Sequence, residues 1–128
     1  MDTSNNIQGA GLGLRRSLLP QVTGHEMTKM APDALDFFEV APENWIGVGG
    51  RFGKAFRQLT ERFNFACHGL SLSIGSADEL DLAFIRAVKA FMDTHGIQTY
   101  SEHLSYCSHN GHMYDLMPIP FSLDAAKY

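Results

Sequence analysis

His68 follows the apolar run Phe65-Ala66-Cys67, and His103 stands in Ser101-Glu102-His103-Leu104, one strand further along. Imidazole is the side chain that most often binds metals or moves protons near neutral pH. Taken alone, His68 reads better as a core histidine satisfied by a backbone carbonyl. The pair changes that balance, because two histidines at matching depth on adjacent parallel strands lie within reach of one shared ion. Iron, zinc, copper and nickel all accept imidazole, so the ligand type does not choose the metal.

Carboxylates gather near the same strand ends. Glu39 alternates with hydrophobic neighbours, and a carboxylate facing a closed interior is costly unless a cation or hydrogen-bond donors satisfy it. The other reading is a glutamate at a solvated strand end. Glu43 and Asn44 follow Pro42 in a loop, where an acid and an amide suit orienting a substrate or a metal ligand, although loops are polar in any case. Glu102 precedes His103 directly. By contrast, His109-Asn110-Gly111-His112 reads as a turn with incidental histidines, since Asn-Gly is a strong turn signal. Gly9, Gly11 and Gly13 do not make a dinucleotide loop: Leu14 stands where the fingerprint needs glycine, and the glycines lie within the strand rather than after it. Cys67 and Cys107 lack the surroundings of an activated thiolate and read as structural.

The elements that must position these groups follow from periodicity. Gly9 to Arg15 reads as a first strand, and Arg16 to Leu19 as a short helix ended by Pro20. A polar connection with Gly24 and Pro32 leads to a second strand, Leu35 to Ala41, bounded by Pro42. Gly47, Gly49 and Gly50 mark a loop, after which Phe52, Ala55, Phe56, Leu59 and Phe63 fall at the 3, 4, 7 and 11 offsets of one helical face. Phe65 to Ile74 reads as a third strand with Leu70, Leu72 and Ile74 on one side. Ser76 and Glu79 form a capping box for a second helix through Leu80, Phe84, Ala87, Val88 and Phe91, ending near His95-Gly96. Ile97 to Tyr106 reads as a fourth strand, and Asp115 to Pro120 as a rigid connection before a helix that starts at Ser122.

Strands alternating with helices favour a parallel α/β sheet, open or closed into a barrel. A (β/α)8 barrel takes about 250 residues, so four strands in 128 residues amount to nearly half of one. A half-barrel would leave two open strand edges, which makes truncation the simplest expectation and self-association through those edges a corollary. In such folds ligands gather at the carboxyl ends of the strands, where the histidines and carboxylates above fall.

Composition limits the partners. Fourteen acidic against ten basic residues, the latter scattered, give no phosphate-tracking stripe, so nucleic acid is not expected. No apolar run reaches the roughly 20 residues of a membrane span. Residues 1–8 are polar, read as disordered, and lack a secretory pattern, which with only two cysteines points to reduced thiols and a cytoplasmic location.

Five blocks together carry a resemblance: Gly11-Leu12-Gly13-Leu14-Arg15, Glu39-Val40-Ala41-Pro42-Glu43-Asn44-Trp45, His68-Gly69-Leu70-Ser71-Leu72-Ser73, Ser101-Glu102-His103-Leu104-Ser105 and Asp115-Leu116-Met117-Pro118-Ile119-Pro120. In this order and spacing they resemble the multinuclear non-heme iron oxidative enzymes, a bacterial family long without a function, across nearly the whole chain. The resemblance implies a TIM-type (β/α)8 barrel, here about the first four β/α units, with residues 1–128 as the N-terminal half of one domain. It implies two or three iron ions and the use of dioxygen to rewrite cysteines in ribosomally made peptides. The type reaction converts cysteine to an oxazolone with a neighbouring thioamide. It further implies a precursor peptide as substrate and a small partner protein that helps to present it. His68 and His103 match the family's first two histidine ligands; Glu43 and Asn44 match its polar motif after the second strand, and Glu39 and Glu102 join them as lining or orienting residues. The family's remaining ligands come from later strands and fall beyond Tyr128, so the chain alone is expected to bind metal weakly and to be inactive. Two other readings stay open: a non-catalytic half-barrel that binds peptide or assembles with a partner, and a divergent barrel isomerase or endonuclease using zinc or manganese.

Overall fold

The structure is a computed structural model, and it describes residues 7–24, 35–119 and 124. His25, Pro32, Ser122 and most of the polar start lie outside the described residues, so the expectations placed on them do too.

Six strands and three α-helices make up this part of the chain: β1 (Gly11–Gly13), α1 (Leu19–Thr23), β2 (Phe37–Val40), α2 (Gly50–Thr60), β3 (Asn64–Gly69), α3 (Leu82–His95), β4 (Thr99–Glu102), β5 (Ser105–His109) and β6 (His112–Pro118). Strands β1 to β4 form one parallel sheet in chain order, and β5 and β6 form a separate antiparallel pair. The expected α/β class with a four-stranded parallel sheet is what the chain adopts.

Sheet alternation divides the side chains into two sets. Phe38, Val40, Phe65 and Cys67 point toward the helices and are buried with Phe56 and Leu59 of α2 and Phe91 of α3. Phe56 is the hub: its ring stacks on Trp45 at 4.5 Å and on Phe91 at 5.5 Å, and meets Phe65 edge-on at 5.3 Å. The apolar stripe read from Phe52, Ala55, Phe56 and Leu59 is thus the face α2 packs inward. By the register Gly11↔Phe37, Glu39↔Ala66 and His68↔Ser101, the opposite face carries Gly11, Phe37, Glu39, Ala66, His68 and Ser101. Gly11 has no side chain there because a Cβ would run into the Phe37 ring.

Several expectations need correction, each for a local reason. Pro20 does not end a helix; it occupies the first turn of α1, where its missing N–H costs nothing. The third strand stops at Gly69 rather than Ile74, because Glu43 captures the next two amides, and Leu70 and Ile74 end 37% and 40% exposed instead of forming a face. Ser76 does not cap α3. That role falls to Asp81, whose carboxylate accepts from the Phe84 amide at 2.9 Å, while Ser76 Oγ donates to the Ser108 carbonyl and accepts from the Asp78 amide. The expected end holds, with Gly96 in the left-handed region at φ 67°.

The fourth strand divides after Glu102. Its continuation becomes β5, which turns through Asn110 and Gly111, both with positive φ, into β6. Asp115 to Pro118 are therefore strand residues and not a rigid connection. The segment after β3 stitches this hairpin to the sheet. Ser73, buried and at φ 56°, accepts through Oγ from the amides of Cys107 and Ser108, and the Gly75 amide donates to the Ser105 carbonyl.

Candidate functional site

At the carboxyl ends of β3 and β4 the structure brings His68 and His103 together, with ring centroids 4.4 Å apart and planes inclined by 47°. His68 lies within β3, opposite Ser101, and its Nδ1 is 2.7 Å from the Ser101 hydroxyl. His103 lies one residue past β4, where the chain turns away from the sheet, and its Nδ1 is 2.9 Å from the Gly69 carbonyl oxygen. A carbonyl only accepts, so His103 carries its proton on Nδ1. Neither Nε2 has a hydrogen-bond partner among the described residues. Two partly buried imidazoles with their Nδ1 atoms engaged and their Nε2 atoms free have the arrangement of oriented metal ligands.

Two carboxylates flank the pair. Glu43, in the 3-10 turn Pro42–Asn44, directs Oε1 at three donors: the amides of Leu70 and Ser71, at 2.7 and 2.9 Å, and the Ser71 hydroxyl at 2.9 Å. Its Oε2 is buried without a hydrogen-bond partner. Glu102 accepts from the His103 amide at 2.9 Å and from the Tyr100 hydroxyl at 2.7 Å. Burial, and then the Glu102 carboxylate, push the Tyr100 phenol above its ordinary range. Cys67 lies beneath this group, and burial with the Glu43 charge raises its thiol to about 12. It is no nucleophile near neutral pH, in keeping with a structural cysteine.

The remaining expected site residues stand apart. Glu39 shares the sheet face of His68 but sits one pleat earlier, exposed, and its carboxylate makes no hydrogen bond among the described residues. Asn44 is exposed, and its carbonyl accepts from the Arg16 guanidinium. His109 pairs with Asp78 at 3.0 Å across the base of the hairpin turn. His95 is held by the core, 4.7 Å from the Phe56 ring and 3.3 Å from the Thr60 hydroxyl. Ser101 and the Gly69 carbonyl were not singled out from the sequence; only the β3–β4 register reveals that they orient the two imidazoles.

The donors present fit part of a metal site. Two imidazoles are available, while both oxygens of Glu102 and one of Glu43 already accept hydrogen bonds. Among the described residues no group of three histidine, cysteine, aspartate or glutamate side chains is arranged to hold a metal ion. A metal centre with several protein ligands needs more of them than the described residues bring together here.

A parallel sheet with crossover helices and a histidine pair at the carboxyl ends of adjacent strands places the chain among α/β proteins with polar groups gathered at one rim of the sheet. Within that class the chain belongs to the family of RiPP precursor modification enzymes MbnB/TglH/ChrH, whose model matches residues 9–128. This is the family to which the five sequence blocks pointed. Its relatives include a UPF0276 protein of Shewanella sediminis, 62% identical over 118 residues that are 92% of this chain and 41% of the relative. A UPF0276 protein of Shewanella oneidensis is 62% identical over 118 residues, covering 92% of this chain and 40% of its own. One from Pseudomonas aeruginosa is 55% identical over 122 residues, 94% of this chain and 41% of the relative. The chain therefore spans about two fifths of the length of the curated relatives it matches. No helix among the described residues is long and apolar enough to cross a membrane.

Proposed function

We propose that this chain supplies the first four β/α units of a (β/α)8 barrel that modifies cysteine residues of a ribosomally made precursor peptide, using iron and dioxygen, with His68 and His103 as two of the metal ligands. The juxtaposed imidazoles carry the reading: their rings lie 4.4 Å apart at the carboxyl ends of adjacent strands, where barrel enzymes keep their chemistry, and neither Nε2 is hydrogen-bonded among the described residues. Iron held by His68, His103 and further ligands would supply the dioxygen chemistry of the proposed reaction. The chain's own residues prepare for it. Ser101 and the Gly69 carbonyl fix the two rings, and Glu43 and Glu102 hold the backbone around them. A small partner protein that presents the peptide belongs to the same proposal, as do the reduced thiols and cytoplasmic setting.

The direct test is metal content in a chain extended to the length of the relatives. His68→Ala and His103→Ala should each lose bound iron, and His95→Ala should keep it. Equal metal in all three would remove the ligand assignment.

The open sheet favours a second reading, a non-catalytic half-barrel that assembles with a partner or a second copy. The outer edges of β1 and β4 pair with no strand among the described residues, and Leu12, Leu70 and Leu104 are exposed. A stable, metal-free oligomer of the 128-residue chain, with no iron bound by the extended one, would select it.

A further inference from the structure

One peptide plane is gripped from both ends. The unit between Gly69 and Leu70 has a single carbonyl and a single amide; the carbonyl accepts from His103 Nδ1 at 2.9 Å, and the amide donates to Glu43 Oε1 at 2.7 Å. The two side chains come from different elements, Glu43 from the turn after β2 and His103 from the end of β4, and this peptide at the end of β3 lies between them. Its surroundings leave no slack. A Cβ on Gly69 would collide with the Glu102 carboxylate and the Tyr100 hydroxyl, and Glu102 in turn binds the His103 amide.

From this geometry we propose that Glu43 is a positioning residue for His103, acting through the Gly69–Leu70 peptide. Hydrogen bonds in series polarise one another. A carboxylate on the amide draws the peptide dipole further toward the carbonyl oxygen, which then holds the Nδ1 proton of His103 more firmly. That fixes the ring in one tautomer, with the Nε2 lone pair presented at the rim. The arrangement does the work of a carboxylate bound directly to a ligating histidine, with a peptide group interposed. His68 has no part in it, since its Nδ1 is bound by Ser101, and so it serves as an internal control. The proposal takes its purpose from the metal-ligand reading above, but its geometry exists without metal.

The test is NMR of the metal-free, 15N-labelled chain at about pH 8, where a free imidazole is neutral. In the unaltered chain His103 should be protonated at Nδ1. In Glu43→Ala it should shift toward the Nε2-protonated form that free histidine prefers, while the His68 signals stay in place. The isosteric Glu43→Gln, which leaves the shape of the turn intact, should move the Leu70 amide proton upfield and carry the His103 Nδ1 resonance with it in a smaller step. An unmoved Leu70 amide in Glu43→Gln would overturn the proposal, as would a Leu70 shift with the His103 imidazole unchanged. A shift of His68 equal to that of His103 would mark general loosening and overturn it too. Coupling seen in a chain that then binds no iron when extended would leave the relay standing and remove the metal reading.

Discussion

At Cys67 burial, with the Glu43 charge added, holds the thiol pKa near 12 against an ordinary 9.0. A thiol whose pKa is higher in the folded state adds stability that is complete below the unfolded value and disappears as the pH rises through the folded one. The denaturation midpoint should therefore fall between about pH 9 and 12, and less steeply in Cys67→Ala. Near neutral pH neither Cys67 nor Cys107 should react with a thiol reagent until the chain is unfolded, both being buried. His95 works in the other direction: burial, then Arg57, lowers its pKa below 6.5. Its neutral form is the one the core accepts, so stability should decline as the pH falls through 6.5, with a shallower decline in His95→Gln, followed by chemical denaturation at a series of pH values. At this scale the sequence singled out both members of the imidazole pair that the structure brings together, His68 after an apolar run and His103 one strand further along. It concealed Ser101 and Gly69, whose roles depend on which residue lies opposite which across β3 and β4. Glu39 misled in contact though not in face, since alternation shows the side of a sheet but not what lies within reach.

Element ends tell a similar story in backbone terms. The capping-box spacing pointed to Ser76 with Glu79 for the second helical pattern, but Asp81 is the residue next to the first helical one. Asp81→Ala should lower stability by about 1 kcal/mol, whereas Ser76→Ala should leave α3 intact and loosen the contact to Ser108; thermal denaturation and the helical circular dichroism signal separate the two. Gly96→Ala forces a Cβ into the left-handed region and should destabilise by about 1–2 kcal/mol. The third strand was read too long at its carboxyl end for one reason. A run such as Phe65 to Ile74 keeps its alternating pattern past Gly69, but the Glu43 carboxylate takes the amides that the sheet would need. No local pattern announces a side chain that arrives from 27 residues away.

Among the described residues the buried apolar cluster lies between one sheet face and the helices α1, α2 and α3, and Phe56 joins the parts. Phe56→Ala should cost about 3–5 kcal/mol, a large share of the stability of a small domain, and should show as loss of cooperative unfolding. The other sheet face and the β6 strand remain open, with Met113 76% exposed and Tyr114, Leu116 and Met117 also uncovered. An extended chain that covers these surfaces and adds ligands should bind iron far more tightly than the 128-residue chain, by equilibrium dialysis of both. The α/β order was legible from periodicity alone, while the hairpin was not, because β5 continues β4 in hydrophobic pattern and departs from it only where the Glu102 carboxylate and the Gly69 carbonyl take up the His103 amide. Ser73 fastens that hairpin to the sheet, and the demands on it restrict what evolution can place there. Glycine would accept the positive φ but lose the hydroxyl that serves two amides; threonine would keep the hydroxyl but crowd a backbone hostile to β-branching; alanine would bear the same backbone cost as serine without the hydroxyl. Outside the histidine pair, position 73 should be among the least exchangeable in the chain, and a saturation library selected for folding should return serine there.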